Sequence, residues 1–311
     1  MEKKVLVITG PTATGKTALG VLLAKKLNGE IISADSMQIY RGMDIGTAKV
    51  TPDEMDGVPH HLIDVADPDE NWSVARWVEA AAAAAEDIFD RGRLPIIVGG
   101  TGLYIDSLLS GREFADAEDD GAVRARLSAE YDRIGGEAFL EKLRAVDPDR
   151  AEKLHSADKK RLVRAMEVFE LTGETITAHD EKTKAIPPRW DSLRIALNYA
   201  DREKLYERID ARVDDMIRFG LFEEVEALLC QGLSPQSTAM QAIGYKEILD
   251  YFLEKTTGGD CIDSIKRESR RYAKRQLTWL GRDRELHWIL WDGEPDLERA
   301  ADEVCTLWNK N

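Results

Sequence analysis

Short β-branched runs alternate along the chain with stretches of helical periodicity. Val5–Thr9 reads VLVIT, and Ala18–Leu27, ALGVLLAKKL, follows with helix spacing. Glu30-Ile-Ile-Ser-Ala-Asp35 is a second apolar run, ending in an acid, and Leu94-Pro-Ile-Ile-Val98 a third. Ser73–Arg91 contains the unbroken alanines 80–85, which predicts a helix that serves packing. The segment 121–184 is helical in pattern throughout, and Leu193–Tyr199 reads as a strand returning to the core. Two breaks frame the helical stretch: the acidic EFADAEDD at 113–120 and Ile186-Pro-Pro-Arg-Trp190. Strands alternating with helices predict an α/β protein with a parallel sheet and an all-α insertion. The expected domains are 1–115 for the first part of the core, 116–188 for the insertion, and 189–311 for the rest of the core.

Composition narrows this reading. The 311 residues carry 58 Asp and Glu against 43 Lys and Arg, a formal charge of −15, so bulk charge does not favour indiscriminate coating of nucleic acid. Cys230, Cys261 and Cys305 are odd in number and lack metal-ligand spacing, so neither a disulfide framework nor a zinc ribbon is expected. No apolar run reaches the length of a membrane span. Met1 leads within a few residues into a strand-like segment with no signal peptide between, and a reducing, cytoplasmic setting is expected.

The first strand runs into Gly10, Pro11, Thr12, Ala13, Thr14, Gly15, Lys16 and Thr17, a complete GxxxxGK[ST] between strand and helix. This predicts a P-loop NTPase-like core. The glycines let backbone N–H groups turn inward, the helix start adds its positive end, Lys16 supplies a mobile cation, and Thr17 offers a hydroxyl to Mg²⁺. Asp35 ends a strand at the ligand edge of such a sheet; the roles of metal ligand, general base and helix N-cap all suit it. Ser36–Lys49 mixes a tyrosine, glycines, an arginine and a lysine, the pattern of a substrate-facing loop. His60 and His61 read as loop histidines ahead of a strand, since no third ligand lies near. In Gly99-Gly-Thr-Gly-Leu-Tyr104, three glycines around Thr101 mean close backbone approach, with a ligand as the expected neighbour and a tight strand-to-helix turn as the alternative. This strand carries no terminal Asp, which weakens an ATPase or GTPase reading.

The segments GPTATGKT, DSMQIYRGMDIGTAK, HHLID and GGTGLY, in this order, resemble the tRNA dimethylallyltransferase family. So do Lys160–Phe169, Gly244-Tyr245-Lys246 and Tyr272–Leu280, and the resemblance runs from about Val5 to about Trp288. Ala13-Thr14 replaces a common Ala-Ser, a tolerable exchange of one hydroxyl for another. No zinc-finger extension follows Trp288, so a bacterial-type enzyme is expected. The resemblance implies transfer of a dimethylallyl group from dimethylallyl diphosphate to the exocyclic amine of adenosine 37, in tRNAs that read codons beginning with U. The phosphate loop would then hold the donor's diphosphate with Mg²⁺. Thr101 would add a donor near the bridging oxygen, Asp35 would accept the amine proton, and Arg212, ahead of Arg208, would meet the diphosphate. RNA contacts are implied at Asp35, Ser36, Met37 and Gln38; at Lys159, Lys160, Arg161, Leu162, Val163 and Arg164; and at Gln241, Gly244, Tyr245 and Lys246. The insertion would grip the anticodon stem-loop, and the enzyme is expected to be a monomer.

Lys266–Arg275 reads KRESRRYAKR, six cations and one acid. On a helix Arg267, Arg271, Lys274 and Arg275 share one side, with Tyr272 and Trp279 available for packing or stacking. Cys261–Glu285 holds eight Lys and Arg against four acids, so the acidic chain is locally basic where RNA should lie. Three alternatives remain distinguishable: a small-molecule kinase would turn over ATP, an adenylate prenyltransferase would use free AMP, and an RNA-binding adaptor would catalyse nothing.

Overall fold

A computed structural model describes residues 3–111, 121–184 and 186–310; the acidic break at 113–120 lies outside them. The chain divides into two compact units, residues 1–109 with 190–311, and Ser110–Arg189.

The first unit begins with β1 (Lys4–Thr9), α1 (Lys16–Leu27), β2 (Gly29–Ser33), α2 (Pro52–Met55), β3 (His60–His61), α3 (Val74–Asp90), β4 (Leu94–Val98) and α4 (Gly102–Leu109). The second unit holds α5 (Ala122–Ile134), α6 (Gly136–Arg144), α7 (Pro148–Ala151), α8 (Lys159–Thr172) and α9 (Ile176–Lys184). The first unit then resumes with β5 (Asp191–Tyr199), α10 (Arg202–Arg218), α11 (Leu221–Cys230), α12 (Tyr245–Phe252), α13 (Gly258–Leu280), β6 (His287–Trp291) and α14 (Leu297–Lys310).

The sheet order is β3-β2-β4-β1-β5-β6, with every pairing parallel. Central strands with helices on both faces must be apolar on both sides, which is why VLVIT and the Ile pairs of β2 and β4 do not alternate. Leu6, Ile8, Ile31, Ile96, Ile195 and Leu197 belong to one buried cluster with residues of α1, α10 and α14. Ala81 and Ala85 are fully buried, so the alanine face of α3 is a packing face. His60 and His61 are not loop residues ahead of a strand; they form the edge strand β3. His61 Nε2 lies 2.7 Å from Glu30 Oε2, and Arg91 and Arg93 also donate to this buried carboxylate. Burial alone would raise the Glu30 pKa, but hydrogen bonds from Arg91 and His61 hold it down at about 2. The final strand, His287–Trp291, is absent from the sequence expectation.

The second unit has its own core of Leu127, Phe139, Leu143, Leu162, Val163 and Met166. Within it Glu167 is buried and pairs with Arg124 and Arg164.

Candidate functional site

Parallel strands end at one edge of the sheet, and the loops leaving β1, β2 and β4 meet there. The phosphate loop connects β1 to α1. Gly10 adopts φ +143, and a Cβ there would lie 2.4 Å from the Leu197 carbonyl oxygen, so β5 leaves room only for glycine. Gly15, at φ +84, is the left-handed residue that starts α1. The Thr14 hydroxyl donates to the Pro11 carbonyl (2.9 Å), and Lys16 Nζ folds back onto the same oxygen (2.6 Å). Trp291 Nε1 donates to the Thr14 carbonyl (3.1 Å), so the unforeseen β6 pins the loop from outside.

Asp35 follows β2. Its Oδ1 accepts from the N–H of Met37 (2.8 Å) and of Gln38 (3.4 Å), a turn closed by the side chain rather than a helix cap. The Gln38 amide is engaged internally: Ser33 donates to its oxygen, and its nitrogen donates to the carbonyls of Thr47 and Ala48. The rest of the loop is held by charge. Lys49 Nζ reaches Asp44 (2.5 Å), Asp64 (2.6 Å) and the Tyr40 carbonyl (2.8 Å), and its side chain is only 5% exposed. Glu224 of α11 accepts from the N–H groups of Asp44, Ile45 and Gly46 and from the Tyr245 hydroxyl. Such a loop needs polar partners at fixed points, so its sequence lacks a core pattern.

After β4, the Thr101 hydroxyl accepts from the Ser36 N–H (3.3 Å), and the Tyr272 phenol, which burial pushes up to about 12, faces it. The three glycines beside Thr101 each stand against protein. A Cβ at Gly99 would strike the Ala34 backbone, at Gly100 the Gln276 amide, and at Gly102 the Trp279 ring. The tight-turn alternative accounts for them. Trp279 donates to Asp106 of α4 (2.7 Å), a packing role.

These loops face α10 and α13 across a cavity of about 310 Å³. Thr12, Asp35, Arg212, Lys246, Tyr272 and Arg275 contribute its polar lining, and Ile209, Val213, Met216 and Ile265 make an apolar wall. Arg212 lines it, whereas Arg208, one turn earlier, pairs with Glu294 and is half-exposed. Burial, reinforced by repulsion from Arg212 and opposed by Asp35, lowers Lys16 to about 7. Burial also pushes Arg212 down, with Asp35 again opposing. Two half-buried cations that repel each other are poised for an anion.

The cleft brings together Asp35, Ser36, Met37, Arg212, Gln241, Lys246 and Arg275 from the expected set, with Thr101 and the phosphate loop adjoining. Ser36 and Met37 are half-buried. Arg271, Lys274 and Arg275 are exposed on one side of α13, while Lys266 and Arg270 turn to Asp214 and Asp210 of α10. Four residues of the expected RNA set are buried. Leu162 and Val163 are buried in the core of the helical unit, and Tyr245 is fully buried beneath Glu224. Gly244 is also buried, where its N–H meets Glu247 (2.8 Å). On α8, Lys159, Arg161 and Arg164 pair with Asp132, Asp158 and Glu167, while Lys160 is exposed. Sequence reasoning missed Gln276, Glu224 and Trp291. An amide directly after the basic stripe and an acid four residues past Gly220 were the available signals for the first two.

Comparison with known proteins agrees with this architecture. A family model described as IPP transferase matches residues 38–283, and one described as isopentenyl transferase matches residues 3–67. The chain is 47% identical over 306 residues to a tRNA dimethylallyltransferase of Carboxydothermus hydrogenoformans, covering 98% of this chain and 97% of the relative. It is 49% identical over 289 residues to one of Geobacillus thermodenitrificans, covering 93% and 91%. The crystal structure of a tRNA isopentenylpyrophosphate transferase from Bacillus halodurans superposes with a TM-score of 0.72 at 42% identity, covering 98% and 96%. A eukaryotic dimethylallyltransferase captured acting on tRNA gives 0.82 at 31% identity, covering 99% of this chain and 80% of that one.

Proposed function

This chain belongs to the IPP transferase family of tRNA dimethylallyltransferases, and from that premise we propose how its cleft performs the transfer. It is a prenyltransferase that modifies tRNA, built on a P-loop NTPase-like fold. The donor is dimethylallyl diphosphate, and the acceptor is the exocyclic amine of adenosine 37 in the anticodon loop of tRNAs reading codons that begin with U. The observation that carries this reading is the half-buried pair Lys16 and Arg212 at a complete phosphate loop, with Asp35 lining the same cavity as Arg212.

As the allylic carbon–oxygen bond breaks, negative charge grows on the departing diphosphate. Lys16, Arg212 and the inward N–H groups of the loop are preorganised to receive it. Thr101 adds a hydroxyl near the bridging oxygen. The adenosine amine is a weak nucleophile because its lone pair is delocalised into the ring. Asp35 accepts its proton as the nitrogen–carbon bond forms. The apolar wall of the cavity suits the prenyl chain.

Prenyltransferases of this kind generally use a divalent metal. No cluster of three His, Cys, Asp or Glu among the described residues forms a cage. A cation that keeps most of its waters and binds through few protein oxygens plus phosphates fits better, and this favours Mg²⁺. Thr17, exposed on the first turn of α1, would hold it together with the donor. Bound there, Mg²⁺ supplies further charge neutralisation on the diphosphate.

Exposed Arg271, Lys274 and Arg275, with Lys246 and Gln241, form the proposed surface for the RNA backbone. Lys160, Arg161 and Arg164 on the helical unit are proposed to grip the anticodon stem. An anticodon-loop base can be splayed out of its stack at a cost of a few kcal/mol, roughly, which makes such a loop a natural substrate. No described helix is long and apolar enough to cross a membrane. A tRNA substrate supports a cytoplasmic setting, and a single chain supplies every group used above, in keeping with a monomer.

Incubation with Mg²⁺, labelled dimethylallyl diphosphate and unmodified tRNA carrying adenosines at 36 to 38 tests the proposal. Label is expected on the amine of adenosine 37. Label on free AMP instead, or phosphate transfer from ATP, would contradict it.

A further inference from the structure

The mechanism above leaves Gln276 without a role, although its amide is buried between two functional loops. Its Oε1 accepts from the N–H of Thr12 in the phosphate loop (3.1 Å), and its Nε2 donates to the Gly100 carbonyl (3.0 Å), next to Thr101. We propose that Gln276 is a positioning residue that locks the phosphate loop and the Thr101 loop into one donor site. The inference rests on the assignment of that site to the donor diphosphate.

The chemistry of the contact is selective. One backbone group needs an acceptor and the other a donor, side by side, and a neutral amide provides both. The space is shaped for it: a Cβ at residue 100 would lie 2.2 Å from Gln276 Nε2. The helix that carries Gln276 also presents Tyr272 and Arg275, which line the cavity. Losing the amide leaves the Thr12 N–H or the Gly100 carbonyl unpaired in a buried place, and the two loops are then free to part.

Gln276→Glu is the discriminating variant. Its carboxylate still accepts from Thr12 but sets a second oxygen against the Gly100 carbonyl. Protonated, the same side chain offers one acceptor and one O–H donor and restores both bonds. At pH 8 the Kd for inorganic diphosphate with Mg²⁺, read by calorimetry, is expected to rise about tenfold, with the KM for donor following. The KM for tRNA should stay within about twofold. As pH falls, the ratio of variant to wild-type Kd is expected to return towards one, because a carboxyl buried against a carbonyl titrates above its usual range. Lys16, Asp35, Arg212, Tyr272 and Arg275 surround the same loops in both proteins, so the ratio removes their titration. Gln276→Met fills similar volume without charge, and its penalty should be the same at every pH. It carries the test if the Glu variant fails to fold. Diphosphate binding unchanged in both variants overturns the proposal, as does a Glu penalty that pH does not relieve. Failure of the wild type to bind diphosphate overturns the donor assignment, and the proposal with it.

Discussion

Asp35→Asn is expected to lower the single-turnover rate of transfer by about 10²–10⁴, the range of a positioned general base. The substitution isolates basicity from architecture. Asparagine keeps an oxygen that accepts from the Met37 and Gln38 N–H groups, so the turn that follows β2 stays closed. What disappears is the carboxylate that takes the amine proton. Donor affinity should change little, because Lys16, Arg212 and the loop N–H groups are untouched. Asp35→Ala loses the turn as well and should add a rise in the KM for tRNA, through displacement of Ser36 and Met37 along the cavity wall. Turnover within about fivefold of wild type in the Asn variant would remove Asp35 from the base role, whatever the Ala variant does.

Lys16→Ala should cost about 10²–10³ in kcat/KM for the donor, as expected for removing a preorganised charge from the leaving group. Its pH dependence is more telling. The Lys16 ammonium is lowered to about 7 by burial first and by Arg212 second. A bound diphosphate favours the charged form, so donor binding above pH 7 must take up a proton. Donor affinity is therefore expected to be greatest near neutrality and to fall as pH rises beyond about 7. Measurement above pH 7 keeps the diphosphate fully ionised, since such phosphates have their second pKa near 6. In Lys16→Arg the guanidinium stays charged throughout, and the slope should vanish even if affinity is lower. A wild-type affinity flat from pH 7 to 9, or a slope retained in the Arg variant, would contradict the assignment.

The sequence showed those parts of the molecule whose physics is local. A β-branched run, a glycine loop and a helix are contiguous, so β1, the phosphate loop and α1 could be read directly. The doubly apolar β2 and β4 were legible because central parallel strands bury both faces. The arrangement around the cleft was less visible because its contacts are distant in sequence. Gln276 meets Thr12 across 264 positions and Trp291 meets Thr14 across 277, and no local pattern announces either. The three glycines beside Thr101 illustrate the ambiguity: they do mark close approach, and Ala34, Gln276 and Trp279, all remote from them in sequence, are the groups that approach. Leu162, Val163 and Tyr245 illustrate another. A segment that resembles an RNA-contacting motif alternates exposed cations with buried apolar positions on one helix, and only the exposed ones are free to touch a partner. The basic stripe of α13 divides in the same way, with Lys266 and Arg270 consumed by α10.

On this reading one cleft holds diphosphate at its cationic end and the acceptor amine at Asp35. A crystal structure with an anticodon stem-loop and a thio analogue of dimethylallyl diphosphate tests it most directly. The diphosphate is expected on the N–H groups of residues 13–17 with Lys16 and Arg212, the Thr12 N–H staying on Gln276, and the adenosine 37 amine within hydrogen-bond reach of Asp35. A diphosphate bound elsewhere, or an adenosine whose amine points away from Asp35, would contradict it.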